Sequence, residues 1–248
     1  MTQIVEVGDR VDVHVASARR SPGRRDPTLK TLSQNLEVLS TGREFAKDRG
    51  NALITGGTGS GKTPLLNVSS AHIGRHELIV TIEDTAELRL HQEHVSKMET
   101  RPPNIEGDGP ISKRQLVINS LRMRPDRIIL GEVRGGEALD MLQTMNTGHA
   151  DSLATSHANS CSDAVHRLEM MVAPANSNIS IQSIRRQIAS AIDIFVQFAR
   201  LSDSSRRVIE VLESGGIDEE GSVKIVPRFL FDQRAGAFRA VESSEEQS

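Results

Sequence analysis

The sequence predicts an α/β fold, with a mostly parallel sheet flanked by helices and a C-terminal antiparallel hairpin. Three observations predict it. From residue 50 onward, short apolar runs bounded by turn residues alternate with helix-compatible segments. A glycine-rich loop, Gly56–Thr63, joins the first of these runs to the first of the helices. The last two β-rich runs, Arg207–Glu213 and Val223–Phe231, follow one another with no helix between them.

Taken in order, Val11, Val13 and Val15 alternate with polar residues, so residues 4–16 read as an exposed strand or hairpin arm. Residues 17–28 form a linker broken by Pro22, Gly23 and Pro27. Its Arg19, Arg20, Arg24 and Arg25 make a basic loop, read as a solvated surface in preference to a lipid or partner contact. A helix follows, with Leu32, Leu36, Leu39 and Phe45 partly on one face, ending at Gly50. Strands are expected at Ala52–Thr55, Leu78–Ile82, Arg127–Leu130, Ser152–Ser156 and Ile192–Phe198. Between them lie helices at about 64–74, 112–124, 137–147, 162–172 and 178–191, the second opened by a Ser112–Gln115 capping box. Such alternation calls for a parallel sheet covered on both faces. Gly215-Gly216 is the expected turn of the terminal hairpin, and the polar tail Glu242–Ser248 reads as disordered. The chain therefore divides into an N-terminal strand and basic linker (1–28), an α/β domain (29–235) and a disordered tail (236–248).

Bulk properties narrow the function. At 248 residues the chain can bury one substantial core, and 25% charged with 37% hydrophobic residues is ordinary for a globular protein. A net charge of −3 and a pI near 6.3 give no overall attraction to nucleic acid. Aromatics are only 2%, with no Trp or Tyr, which counts against a base-stacking platform. Cys161 is the single cysteine, so no intrachain disulfide can form, as suits a reducing compartment. Residues 1–15 show no secretory signal, and Ile192–Ala199, the longest apolar candidate, is interrupted by Asp193 and Gln197, so no transmembrane segment is expected. These features predict a cytoplasmic protein whose membrane attachment runs through partners.

Gly56-Gly57-Thr58-Gly59-Ser60-Gly61-Lys62-Thr63 fits the phosphate-loop pattern G-x-x-x-x-G-K-[ST], between a strand and a helix as that motif requires. Glycines let the backbone approach phosphate oxygens with successive N–H groups pointing inward, and the helix start adds its positive dipole end. Lys62 would bridge the β- and γ-phosphates of ATP, and the Thr63 hydroxyl would hold Mg²⁺.

In an open α/β sheet ligands sit at the carboxyl ends of strands. There the second strand delivers Glu83-Asp84-Thr85-Ala86-Glu87, and the third Gly131-Glu132-Val133-Arg134. The fourth is flanked by Thr147-Gly148-His149 and Thr155-Ser156-His157. ATP hydrolysis needs a carboxylate to orient or deprotonate water, another on the metal side, and cations for the transferring phosphoryl group. Glu132, at the end of an apolar strand, is the stronger carboxylate candidate; Glu83, Asp84 and Glu87 compete for the remaining role. His149 and His157 flank one strand and are candidates together, while Met141 and Met145 read as core filler.

Five segments in order, Gly56–Thr63, Thr81–Leu90, Glu99–Gly107, Leu121–Leu142 and Thr147–Ser160, resemble the type II/type IV secretion-system ATPases, with the tight-adherence (Flp-type) pilus-assembly branch nearest. The resemblance covers about residues 27–230. It implies a RecA-like P-loop NTPase core working as a homo-hexamer at the cytoplasmic face of the inner membrane. There ATP hydrolysis drives membrane-embedded platform proteins of a pilus or secretion system. It further implies Glu87 as the water-activating residue and Gly131-Glu132 as an atypical Walker B motif with Glu132 on the metal side. His149 and His157 would sense the γ-phosphate or a subunit interface, and Arg89, Arg101 and Arg134 lie in the arginine-bearing segments. Against the family pattern, only about thirty residues precede the core, Pro64 replaces a hydroxyl, and Ala150-Asp151 and Ala154 stand where Asp-Gly and Thr are usual. Residues 1–28 then read as a remnant. The main expectation is an Mg²⁺-dependent ATPase motor, possessing weak activity if the N-terminal part is truncated. The alternative is a nucleotide-binding capping or regulatory subunit with little turnover. A nucleic-acid motor is disfavoured by charge and composition.

Overall fold

The computed structural model describes residues 4–7, 10–13, 50–70, 73–90, 92–105, 109–147, 151–175, 179–233, 235 and 237–241. The helix expected around Leu32–Phe45, the linker 17–28, His149 and the tail 242–248 lie outside the described residues. Strands β1 (Ile4–Val7) and β2 (Arg10–Val13) pair antiparallel, Ile4 opposite Val13, which is the second of the two forms expected of this arm.

The main sheet is built from β3 (Ala52–Gly56), β4 (Ile79–Glu83), β5 (Val95–Glu99), β6 (Arg127–Val133), β7 (Leu153–Ser156), β8 (Ile194–Arg200), β9 (Arg206–Ile217), β10 (Val223–Asp232) and β11 (Ala237–Ala240). Their order across the sheet is β11-β10-β9-β8-β3-β7-β6-β4-β5. All pairings from β8 to β5 are parallel, and those from β8 to β11 antiparallel. The α-helices among the described residues are α1 (Lys62–Ser69), α2 (Lys113–Ser120), α3 (Glu137–Asn146), α4 (Cys161–Val172) and α5 (Ile181–Ala191).

Both faces are covered, as parallel strands require. Leu65 and Leu66 of α1 join Ile54, Ile79, Ile129, Val196 and Phe198 on one face. On the other, α2 to α5 pack Val117, Leu142, Leu168 and Ile188 against Leu53, Val80, Leu130 and Phe195. The expected capping box is formed: Ser112 Oγ accepts the Gln115 N–H while Gln115 Oε1 accepts the Ser112 N–H.

Four differences from expectation have local causes. β5 carries charges at Lys97 and Glu99 and hydrogen-bonds only to β4, so an edge strand hid behind a polar sequence. β6 continues three residues past Leu130 through a register shift between Leu130 and Val133, so Gly131-Glu132 form a bulge inside the strand rather than a loop after it. Gly215-Gly216 are not the hairpin turn. Gly216, at φ 81°, sits where two β9 residues oppose one β10 residue, and the chain turns at Asp218–Ser222, where Asp218 Oδ1 accepts the Ser222 N–H. β11 follows β10 as a further antiparallel strand.

Candidate active site

The loop Gly57–Gly61 leaves the carboxyl end of β3 and turns on a Ser60 N–H to Gly57 O bond of 3.2 Å. Gly61 has φ 109°, and a Cβ there would lie 2.9 Å from Phe198 Cε1 and 3.2 Å from Arg206 Cδ, so only glycine fits. Leu65 N–H is the first to bond back into α1, to Gly61 O at 3.1 Å. Pro64 therefore stands in the first turn, where a missing N–H deprives the helix of nothing. Lys62 is nearly buried and its Nζ donates to Gly56 O (2.8 Å) and Gly57 O (3.1 Å), so its ammonium rests on the loop's own carbonyls. Burial pulls its pKa below the usual lysine value; the Glu132 carboxylate works against this and Arg134 adds to it.

The three acidic candidates of the β4 loop divide by their contacts. Glu83 is buried, and its Oε1 accepts the N–H groups of Glu87 and Leu88, each at 3.0 Å. It shapes the loop. Burial raises its pKa, against the pull of those two amides. Room for it comes from Gly131 on the neighbouring β6, where a Cβ would fall 2.9 Å from Glu83 Cγ. Asp84 is held by Lys113, whose Nζ lies 2.7 Å from Asp84 Oδ2 and 2.9 Å from Glu132 O. Glu87 is exposed and directed at the phosphate loop, its Oε2 accepting a hydrogen bond from Thr63 Oγ1 at 3.4 Å.

The β6 bulge presents Glu132 to the same space. Its Oε2 accepts a hydrogen bond from Arg134 Nη2 at 2.5 Å, which pushes the Arg134 pKa up. Its Oε1 is buried without a hydrogen bond and lies 2.8 Å from His157 Nε2. Burial first, then the nearby Lys62 charge, holds the His157 imidazole below the usual histidine pKa, while Glu132 acts in the opposite direction.

These groups line one open cleft of about 530 Å³, which contains Lys62, Thr63, Glu83, Glu87, Glu132, Arg134 and His157. That is the scale of a ligand site. Arg89 and Arg101 do not line it; the Arg101 side chain bonds Gly109 O at 2.8 Å. Two contributors escaped the sequence reading. Lys113, at the start of α2, ties Asp84 to the β6 bulge, and Arg206 lines the cleft because the turn after β8 returns β9 to the same sheet edge.

The donor set fits Mg²⁺ held mainly by a ligand. Among the described residues no group of three or more His, Cys, Asp or Glu is placed to hold a metal alone. A hydroxyl at Thr63 and the Glu132 carboxylate, whose Oε1 lies 2.8 Å from His157 Nε2, are the kind of sparse oxygen set that Mg²⁺ completes with waters and phosphates.

Residues 5–242 match the family described as type II/IV secretion system protein. The chain belongs to this family. It is 40% identical over 172 residues to the type IV secretion system protein PtlH of Bordetella pertussis, covering 66% of this chain and 50% of that one. To the conjugal transfer protein TrbB of Rhizobium radiobacter it is 37% identical over 177 residues, covering 70% and 51%. The chain thus spans about half the length of these family relatives. Among solved structures it is similar to the VirB11 ATPase from the Brucella suis type IV secretion system, with a TM-score of 0.64 and 29% identity over 75% of this chain and 55% of that one. The pilus retraction motor PilT shares the fold, at a TM-score of 0.51 and 21% identity over 79% of this chain and 48% of that one. The RecA-like core expected of the family is present. These relatives do not single out the tight-adherence branch. Among the described residues no helix is long and apolar enough to cross a membrane.

Proposed function

We propose that this chain is an ATP-hydrolysing motor subunit of a bacterial pilus-assembly or type II/IV secretion machine. The observation that carries the reading is the convergence of Lys62, Thr63, Glu87, Glu132, Arg134 and His157 on one cleft at the carboxyl edge of a parallel sheet. The amides of Gly57–Lys62 and the α1 dipole receive the triphosphate, and Lys62 exchanges the Gly56 and Gly57 carbonyls for phosphate oxygens. Bound Mg²⁺, held by Thr63 and on its water shell by Glu132, would neutralise charge on the phosphates. Glu87 orients the attacking water and takes its proton. Arg134 and His157 face the γ-phosphate, where a cation or an N–H donor stabilises the transferring group. His149 is proposed for the sensing role the family gives it.

The active unit is proposed to be a homo-hexamer at the cytoplasmic face of the inner membrane, acting on membrane platform proteins, with residues 29–235 as the ATPase domain. Turnover is favoured over a capping role because an exposed carboxylate suited to water activation, Glu87, stands beside Thr63 and accepts only a 3.4 Å hydrogen bond from its hydroxyl. Phosphate release by the purified chain, with and without Mg²⁺, tests the reading. Lys62→Ala should abolish nucleotide binding, and Glu87→Gln should keep binding but lower the rate by about 10²- to 10⁴-fold. Parent-like hydrolysis in both variants refutes the proposed roles. Tight binding without release, even after a full-length relative is added, establishes the capping subunit instead.

A further inference from the structure

The phosphate loop is held at its two ends and bare at its tip. Among the described residues nothing lies within 4 Å of where a Cβ would stand at Gly57 or Gly59. Gly59 has φ 69°, and the turn between Gly57 and Ser60 is a local one. Among the described residues a single long-range hydrogen bond reaches residues 57–60, from Arg206 Nε to Gly59 O at 2.9 Å.

Arg206 arrives by topology. β8 ends at Arg200, and a tight turn follows in which Leu201 N–H donates to Ser205 O (2.8 Å) and Ser204 N–H to Leu201 O (2.9 Å). The returning β9 is antiparallel, with Arg206 opposite Arg200, so its first residue lies at the carboxyl edge where β3 delivers the loop. The Arg206 stem packs beside Gly61, its Cδ 3.2 Å from that residue's Cβ position. Because a planar peptide points its C=O and N–H in opposite directions, holding the Gly59 carbonyl fixes the plane of the Gly59–Ser60 peptide.

We infer that Arg206 is a positioning residue for the phosphate loop, through which the C-terminal antiparallel hairpin keeps the loop's tip in the shape that receives phosphate. The inference rests on the nucleotide reading of the cleft, but its first test does not. Arg206 touches no reacting atom in this role, so its loss weakens ground-state capture of nucleotide and leaves the rate at saturation unchanged.

The experiment compares the full chain with Arg206→Ala and Arg206→Lys, and uses Lys62→Ala as the control for the phosphate site. In nucleotide-free protein, amide hydrogen exchange over residues 58–61 should rise about tenfold in Arg206→Ala, the scale of one charge-assisted hydrogen bond, here at an exposed site. Thermal midpoint and exchange in β3 and β8 should match the parent. Arg206→Lys, which keeps a donor, should recover much of the protection. Unchanged loop exchange in Arg206→Ala overturns the inference whether or not nucleotide binds. ATP and ADP titrations form the second arm, with about tenfold weaker binding in Arg206→Ala and an unchanged kcat. If the parent binds nucleotide and Arg206→Ala binds it equally well, the inference is again overturned. A parent that binds no nucleotide refutes the reading of the cleft, while the exchange result still decides the role of Arg206.

Discussion

Gly131→Ala isolates the packing that lets two neighbouring strands share this site. The glycine's φ is outside the left-handed region, so alanine meets no backbone strain and the effect is steric alone. The new methyl would stand 2.9 Å from Glu83 Cγ, 3.4 Å from Ile82 O and 3.6 Å from Glu83 Cβ. Glu83 cannot swing away cheaply, because it is buried and its Oε1 holds the Glu87 and Leu88 amides. Overpacking of this kind costs about 1–3 kcal/mol. Glu83→Ala, which strands two N–H groups, should cost about 2–4 kcal/mol. In the double variant the 2.9 Å contact no longer exists, so the two losses should fall short of additivity by about 1–2 kcal/mol. Urea denaturation of the parent, both single variants and the double variant measures this, provided the m-value is constant. Additivity to within about 0.5 kcal/mol would refute the reasoning, since it would mean that the glycine makes no room for Glu83. Glu87 hangs on the same loop, so Gly131→Ala should also slow phosphate release more than it weakens nucleotide binding.

Three further outcomes follow from the site. Lys113→Met removes the Nζ that ties Asp84 to the Glu132 carbonyl; it should cost about 1–3 kcal/mol, lowering the thermal midpoint by a few degrees, and reduce kcat with little change in nucleotide affinity. The folded His157 pKa lies below the ordinary 6.5, so below that pH the unfolded chain binds the proton more readily and stability falls as the solution is acidified; denaturant midpoints between about pH 7 and 5 should drop more steeply in the parent than in His157→Gln. Cys161 is fully buried and burial pushes its thiol pKa up, so iodoacetamide should modify it only at denaturant concentrations that unfold the chain.

What the sequence made legible was local or periodic. The phosphate loop is contiguous, and its glycines, lysine and flanking apolar runs point to one structure. The strands that form the sheet's centre are apolar because they are covered on both faces, so Ile79–Ile82 and Ile128–Leu130 stand out. The capping box of α2 is a four-residue signal, Ser112–Gln115. β5 was hidden because an edge strand need satisfy only one neighbour and can carry Lys97 and Glu99. Gly215-Gly216 misled because glycine marks a bulge as readily as a turn, and only the β10 register decides between them.

Roles within the acidic cluster were not legible for a deeper reason. Glu83, Asp84 and Glu87 are chemically near-equivalent, and their differences come from partners remote in sequence. The space left by Gly131 admits Glu83 to the interior, and Lys113 claims Asp84 from 29 residues away. Glu87 is left to face Thr63 because its two rivals are engaged elsewhere. The same holds for Arg206, whose contact with Gly59 spans 147 residues and depends on the sense of β9. An antiparallel strand added beside a parallel sheet necessarily begins where the parallel strands end. Its first side chain is therefore offered to the ligand edge, whatever the rest of the hairpin does. In this chain that side chain is an arginine with an anion cradle beside it, so the hairpin that closes the sheet also reaches the cleft.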